Sequence, residues 1–278
     1  MTREKYLNRL DYFDGQYNCD FTQGKLLTYA HKIFNFKENV IIRRDEWCSA
    51  NLRKTCYRLF SLSEAAKNKL EDIFAGKDMV AVRTNTGNIR FLEILSSAGF
   101  KIVNAKLYLR KKLSGAEKYF YPVRSLKKKQ CFLKDLRPLL KGAFVTSRFY
   151  KDDKIAPAAA ERLYEKWLDT HAGKKTTEIF SIFEGSKCAA FLAASYLAPF
   201  PEEKFNAGFV DLITVLPEYR NRGYALALLR HFEDKLIRQG TRILFANTAI
   251  DNYQAQILFS RNGLLPFNSV VEMHWWNR

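Results

Sequence analysis

Apolar residues in the C-terminal half of the chain change their period in a fixed succession. Residues 177–185 (TEIFSIFEG) and 187–197 (KCAAFLAASYL) are strand-like runs joined by the tight turn EGSK. KFNAGFVDLITVLP, residues 204–217, reads as a third strand that Pro217 ends. From Tyr224 to Arg238 the period becomes helical. Ala225, Leu229, Phe232 and Leu236 form one apolar stripe, Glu233, Asp234, Lys235 and Arg238 face away, and Gly240 supplies a C-cap. A strand at 241–249, a helix within 252–264 and a strand at 269–276 follow. In that helix Ala255, Leu258 and Phe259 recur at i, i+3 and i+4, and Gly263 stops it. Upstream, residues 132–171 read as mainly helical, and the segment 157–171 starts on Pro157, suited to the first helical position.

The N-terminal part echoes the end of this series. DMVAVRT (78–84) is strand-like, NIRFLEILSSAGF (88–100) helix-like and KIVNAKLYL (101–109) strand-like again. The spacing from Asn88 to Gly99 equals that from Asn252 to Gly263, and Leu95 holds the place of Phe259. One constant offset, the one that carries Asn88 onto Asn252, relates all three pairs and predicts two related lobes. The polar, basic stretch 110–129 between them reads as a linker.

Composition narrows the class. The longest uncharged apolar run, 188–201, is too short to span a bilayer. The amino terminus is charged throughout and shows no apolar core of a signal peptide. Five scattered cysteines without a CxxC pair predict neither a disulfide framework nor a zinc site, so no metal is expected and a reducing cytoplasm fits best. His31, His171 and His231 show no metal-ligand spacing. The net charge of +17 favours anionic partners, whether a phosphorylated cofactor, a nucleotide-linked substrate, nucleic acid or an acidic membrane surface, although a solvated basic surface would carry it equally well.

The most informative stretch is VLPEYRNRGYALALL, residues 215–229. A strand ends at a proline, Arg220-Asn221-Arg222-Gly223-Tyr224-Ala225 follows, and a helix begins. Unpaired amides and the dipole at a helix N-terminus attract an anion. Gly223 allows close backbone approach, small Ala225 keeps the helix near its ligand, and Arg220 and Arg222 add forked donors. Neither G-x-G-x-x-G nor G-K-[ST] is present.

The R-x-x-G-x-A stretch after V-x-P-E-Y resembles the acetyl-CoA pyrophosphate loop of the GNAT N-acetyltransferase superfamily, and the surrounding elements over roughly 130–278 follow that family's order. The implied fold is α/β, a GNAT fold with a mixed central β-sheet flanked by helices. A complete catalytic lobe would occupy 121–278 and a degenerate GNAT-like lobe 1–120. At the same offset Arg220–Ala225 would map to CYRLFS, residues 56–61, which has no glycine, so one acetyl-CoA per chain is expected. A narrower likeness links residues 142–168, with their S-R-F and Y-x-x-W, and residues 85–100 to the dTDP-fucosamine acetyltransferase (WecD-like) group, which acetylates nucleotide-linked amino sugars.

The resemblance implies roles. Ile213, Thr214 and Val215 would offer backbone groups to the pantetheine arm, and Arg220, Asn221, Arg222, Gly223, Tyr224 and Ala225 would hold the pyrophosphate. Asn252 would approach the same arm, a role compatible with a simple N-cap. N-acetylation needs a neutral amine, a stabilised oxyanion and a leaving thiolate, but no enzyme nucleophile. Asp211, upstream of Arg220 on the strand that reaches the cofactor, is one candidate base, or else a partner of a basic neighbour. His274 is the second candidate, or else structural, and it shares a strand face with Glu272. Ser147, Arg148 and Tyr150 form the candidate acceptor site, where Arg148 would meet a substrate phosphate or make a plain ion pair. Phe259 stands beside the cofactor where relatives usually carry a tyrosine acid. Either the thiolate leaves unprotonated, or Tyr253, Ser260 or water donates. The implied acceptor is the primary amine of a nucleotide-linked amino sugar. The rivals are a peptide or protein N-acetyltransferase with an open groove, and a non-catalytic module binding CoA or nucleic acid. The sequence leaves the sugar, the acyl group and the oligomeric state open.

Overall fold

A computed structural model describes residues 40–62, 70–115, 118–126, 133–197 and 207–277. The readings of the amino terminus, of His31 and Cys19, and of the run Lys127–Lys129 with Cys131 lie outside the described residues. In chain order the elements are β1 (Val40–Arg44), α1 (Glu46–Leu52), β2 (Cys56–Leu62), α2 (Leu70–Phe74), β3 (Met79–Asn85), α3 (Ile89–Ser97), β4 (Lys101–Lys112) and β5 (Arg124–Ser125). They continue with α4 (Leu133–Leu136), α5 (Arg148–Lys151), α6 (Pro157–Ala172), β6 (Thr177–Glu184), β7 (Lys187–Leu197), β8 (Ala207–Val215), α7 (Tyr224–Arg238), β9 (Ile243–Ala249), α8 (Tyr253–Arg261) and β10 (Leu265–Trp276).

The chain divides into two units. The first holds residues 1–107, 151–154 and 268–278, the second 108–150 and 155–267. The final strand from Asn268 therefore groups with the N-terminal unit rather than with the stretch 121–278. The reason is packing: β10 pairs antiparallel with β3 from Val270↔Asn85 to Trp276↔Met79. Its Val271 and Met273 join Leu59, Val80, Val82, Leu95 and Phe100 in one core. Phe74 closes that core against Phe100 and Trp275, at 5.7 and 4.8 Å between centroids.

Unit 1 orders its strands β1-β2-β3-β10-β4, with β2 and β3 parallel. Unit 2 orders β4-β9-β8-β7-β6-β5, its share of β4 being 108–112. There β8 and β9 are parallel, whereas β5, β6, β7 and β8 pair antiparallel in succession. Its core gathers Leu136, Leu139, Leu168, Ile179, Phe191 and Ala193.

The repeat persists in three dimensions. The bounds of β3, α3 and β4, moved along the chain by the offset between Asn88 and Asn252, coincide with those of β9, α8 and β10. The helix stops match bond for bond: Phe100 N–H donates to Leu95 C=O at 3.0 Å, and Leu264 N–H to Phe259 C=O at 2.9 Å. Gly99 and Gly263 take φ of +86° and +80° at these stops, the left-handed conformation a Schellman ending requires. Upstream of β3 the constant offset fails. Residues 56–61 lie within strand β2, so they are no counterpart of a loop. The link that follows β2, SEAAKNK at 63–69, contains no glycine.

One expectation from periodicity is overturned. Glu233 does not face away from α7; it is fully buried. Its carboxylate accepts from Lys111 Nζ at 2.8 Å and Asn262 Nδ2 at 2.6 Å, partners that offset the cost of burying the charge. Lys235 likewise donates to Glu178 at 2.6 Å. Among the described residues, no three His, Cys, Asp or Glu side chains gather as metal ligands do, and no helix is long and apolar enough to cross a membrane.

Candidate functional site

In unit 2 the ladder between β8 and β9 covers only Ala207↔Ile243 to Val210↔Ala246. Beyond Val210 that pairing does not continue. Ile213, Thr214 and Val215 still pair with Leu192, Phe191 and Ala190 of β7. Their edge toward β9 carries backbone amide and carbonyl groups outside that ladder, which an extended chain bearing amides can satisfy. The strand runs into a turn of 3₁₀ helix at Pro217–Tyr219 and then into the cradle.

Two left-handed residues shape the cradle: Asn221 with φ of +63° and Gly223 with φ of +84°. Asparagine and glycine are the residues that tolerate this region. Alternation of left- and right-handed residues curls successive amides into a concave nest. The first bond of α7 runs from Ala227 N–H to Gly223 C=O at 2.9 Å, so the amides before it lack an intrahelical acceptor. An ideal Cβ on Gly223 would lie 3.8 Å from Tyr121 Cε2, ordinary contact, so the backbone angle rather than space demands glycine. Arg222 lies over the Tyr219 ring at 5.2 Å, and Arg220 Nε donates to Val215 C=O at 3.3 Å. The Tyr224 side chain is buried, and its hydroxyl donates to Glu184.

Asp211 sits where the register of β8 slips, between Val210↔Ala194 and Leu212↔Ala193. A bulge of this kind re-aims one side chain. Its carboxylate is 4% exposed and lies 3.9 Å from His171 Nε2. Ser195 Oγ donates to it at 2.5 Å. His171 stacks on Trp167 at 4.4 Å, a pair set one helical turn apart on α6. Burial pushes the His171 imidazole down to about 3, with the Lys174 charge adding to the shift, so it is neutral at pH 7. The unfolded chain therefore takes up this proton first, and the contribution to stability is full above about pH 6.5. It falls by about 1.4 kcal/mol per unit as the pH drops from there toward 3. Chemical denaturation at pH 6.5 and 5.5 should show His171→Phe losing about 1 kcal/mol less than wild type across that interval. An equal loss in both proteins would exclude the assignment.

His274 belongs to unit 1 and has its own partner. Its Nδ1 lies 2.5 Å from Asp152 Oδ2, to which Trp276 Nε1 also donates at 2.9 Å. This buried group ties residues 151–154 to β10. Glu272, on the same face, is fully buried and bound by Arg83 at 2.6 Å and Asn104 at 2.9 Å. The two candidate bases, Asp211 and His274, thus have separate environments.

Of the candidate acceptor residues, Arg148 is 6% exposed and lies 4.6 Å above the Phe149 ring. Ser147 Oγ and Tyr150 Oη are shut off from solvent without a well-formed hydrogen bond. Burial raises the Tyr150 pKa, and the nearby Glu161 carboxylate adds to the rise. Tyr164 stacks on Phe144 at 4.6 Å beside this pair. Asn252 caps α8, accepting from Ala255 N–H at 3.3 Å. Phe259 is 2% exposed and Leu95, its repeat partner, 0%. Both are core positions, which is why an apolar residue stands there. Tyr253 on α8 is 69% exposed. The Phe259→Tyr variant is expected to change kcat by less than about tenfold, roughly 1.4 kcal/mol. It should also lower stability by about 1–3 kcal/mol for a buried, unpaired hydroxyl. A larger gain in kcat would mean that the site lacks a donor it can use.

Sequence reading missed Tyr121, Glu184 and Ser195, and it gave no site role to His171 or to Trp167 of the Y-x-x-W stretch. Only the last two carry a local signal, their i, i+4 spacing. A free strand edge beside a nest at a helix N-terminus suits a ligand with an extended, amide-bearing arm and an anionic end. Residues 139–264 match the acetyltransferase (GNAT) family model. The match spans less than half of the chain and agrees with the α/β GNAT fold of the structure. No curated protein matches the chain. Solved structures share the fold. A tandem GNAT protein from the clavulanic acid biosynthesis pathway is similar at TM-score 0.54 and 10% identity, over 80% of this chain and 75% of its own. A GCN5-related N-acetyltransferase from Sphaerobacter thermophilus gives 0.56 and 12%, over 85% and 76%. A functionally unknown conserved protein from Staphylococcus epidermidis gives 0.56 and 12%, over 89% and 98%.

Proposed function

We propose that the protein acetylates the primary amine of a nucleotide-linked amino sugar, with one acetyl-CoA per chain held by unit 2. The cradle at 220–225 beside the open edge of β8 carries this reading. The amides of Gly223, Tyr224 and Ala225 would bind the pyrophosphate, with Arg220 and Arg222 adding charge. The backbone of Ile213, Thr214 and Val215 would bind the pantetheine amides, and Asn252 would flank them from α8. Acetyl-CoA supplies an activated thioester, so the chain needs no nucleophile of its own. In agreement, the buried Cys188 thiol is pushed up to about 12 and stays protonated. Asp211 would take the proton of the incoming amine.

The acceptor class rests on the likeness of residues 142–168 and 85–100 to the WecD-like group and on the net charge of +17. Unit 1, whose β2–α2 link lacks a glycine, would be the degenerate lobe.

A thiol-release assay with acetyl-CoA and a panel of nucleotide amino sugars and peptides tests the reading. CoA release with a nucleotide amino sugar is the expected result. Turnover with peptides alone would move the protein to the peptide class. No turnover, together with salt-sensitive nucleic-acid binding, would remove the enzymatic reading.

A further inference from the structure

We infer that Tyr121, in the segment leading to β5, is a positioning residue for the cradle. Its hydroxyl holds the Arg222 carbonyl and thereby aims the Gly223 amide at an anion. The assignment rests on the pyrophosphate reading of residues 220–225.

Tyr121 Oη donates to Arg222 C=O at 2.7 Å. Its ring meets the Tyr224 ring edge-on, at 4.7 Å and 86°. In a trans peptide the C=O and the following N–H point in opposite directions. A carbonyl of Arg222 turned to Tyr121 therefore leaves the Gly223 N–H pointing away from Tyr121. If that peptide flipped, a carbonyl oxygen would face the anion instead of a donor. Glycine takes positive and negative φ about equally readily, so Gly223 by itself does not fix the orientation of that peptide. The hydroxyl of Tyr121 holds the peptide where the glycine alone does not.

The segment that carries Tyr121 is itself anchored. Tyr119 Oη lies 2.8 Å from His231 Nδ1, and Arg230 Nη1 donates to Lys118 C=O at 3.0 Å. Pro122 biases Tyr121 toward an extended conformation. In extended chain, side chains alternate between faces. Tyr119 and Tyr121 meet α7 at His231 and Tyr224, while Phe120 between them is 89% exposed. A tyrosine just ahead of β5 is thus built into the mouth of the cradle.

Calorimetric titration of the full chain with CoA, inorganic pyrophosphate and pantetheine tests the assignment. Tyr121→Phe keeps the ring and removes the hydroxyl. It is expected to weaken CoA and pyrophosphate by about tenfold each, with pantetheine affinity within twofold and Tm within about 2 °C. Tyr119→Phe loosens the same segment without touching Arg222 and should leave CoA affinity within twofold. Unchanged CoA binding in Tyr121→Phe overturns the assignment. So does an equal loss for pantetheine or an equal effect of Tyr119→Phe, either of which would make the hydroxyl a general support of the fold. Wild-type protein that binds neither CoA nor pyrophosphate would remove the pyrophosphate reading, and this assignment with it.

Discussion

Gly223→Val is expected to weaken CoA binding at least thirtyfold, about 2 kcal/mol, while the fold survives. Gly223 has φ of +84° and ψ of 3°, in the left-handed region. A Cβ costs about 1–2 kcal/mol there, and a branched one is worse. The residue can escape that strain by rotating the 222–223 peptide, which turns the Gly223 amide out of the nest. Space is not the obstacle, because the nearest atom to an ideal Cβ stands at 3.8 Å. Gly223→Ala should therefore fall between wild type and Gly223→Val. Calorimetry with CoA reads the effect, and thermal melts should show a loss of only a few degrees. A valine variant that binds CoA within threefold of wild type would mean that the nest does not hold the pyrophosphate.

The second large effect is expected at Asp211. Asp211→Asn should lower kcat by about 100- to 10,000-fold, the usual range for removing a general base. The KM for acetyl-CoA should stay within about twofold, since the side chain is not part of the cradle. Asparagine retains the size of aspartate and an oxygen to accept from Ser195, so the bulge is expected to persist. Steady-state kinetics with the acceptor found in the thiol-release assay give the split between kcat and KM. A kcat within threefold of wild type would leave Asp211 as an anchor of the bulge, bound to Ser195 at 2.5 Å, and not a base.

Much of this architecture is local and so was legible in the chain. The strand bounds of β7 and the helix bounds of α7 agree with the periodic reading at both ends. Asn252, Gly223 and Gly263 mark a cap, a cradle and a stop through their own backbone preferences, which need no distant partner. The Phe259 position is different. Its correspondence to a family tyrosine raised a question about catalysis, whereas its burial, like that of Leu95 at the repeat position, answers one about packing.

The sequence by itself determined the order of elements, the doubling that sets Asn88 against Asn252, and the strand–nest–helix junction. Periodicity and turn chemistry are properties of neighbouring residues, so a linear reading recovers them. The tertiary structure alone decided which distant side chains meet. It set Asp211 beside Ser195 and His171, and Tyr121 on the Arg222 carbonyl. It buried Glu233, which its place in the helical pattern assigned to solvent, by supplying Lys111 and Asn262 from other elements. It also drew β10 into the core of unit 1 through Val271 and Met273. A buried charge or a shared core depends on partners far along the chain, and no periodic mark in a sequence records them.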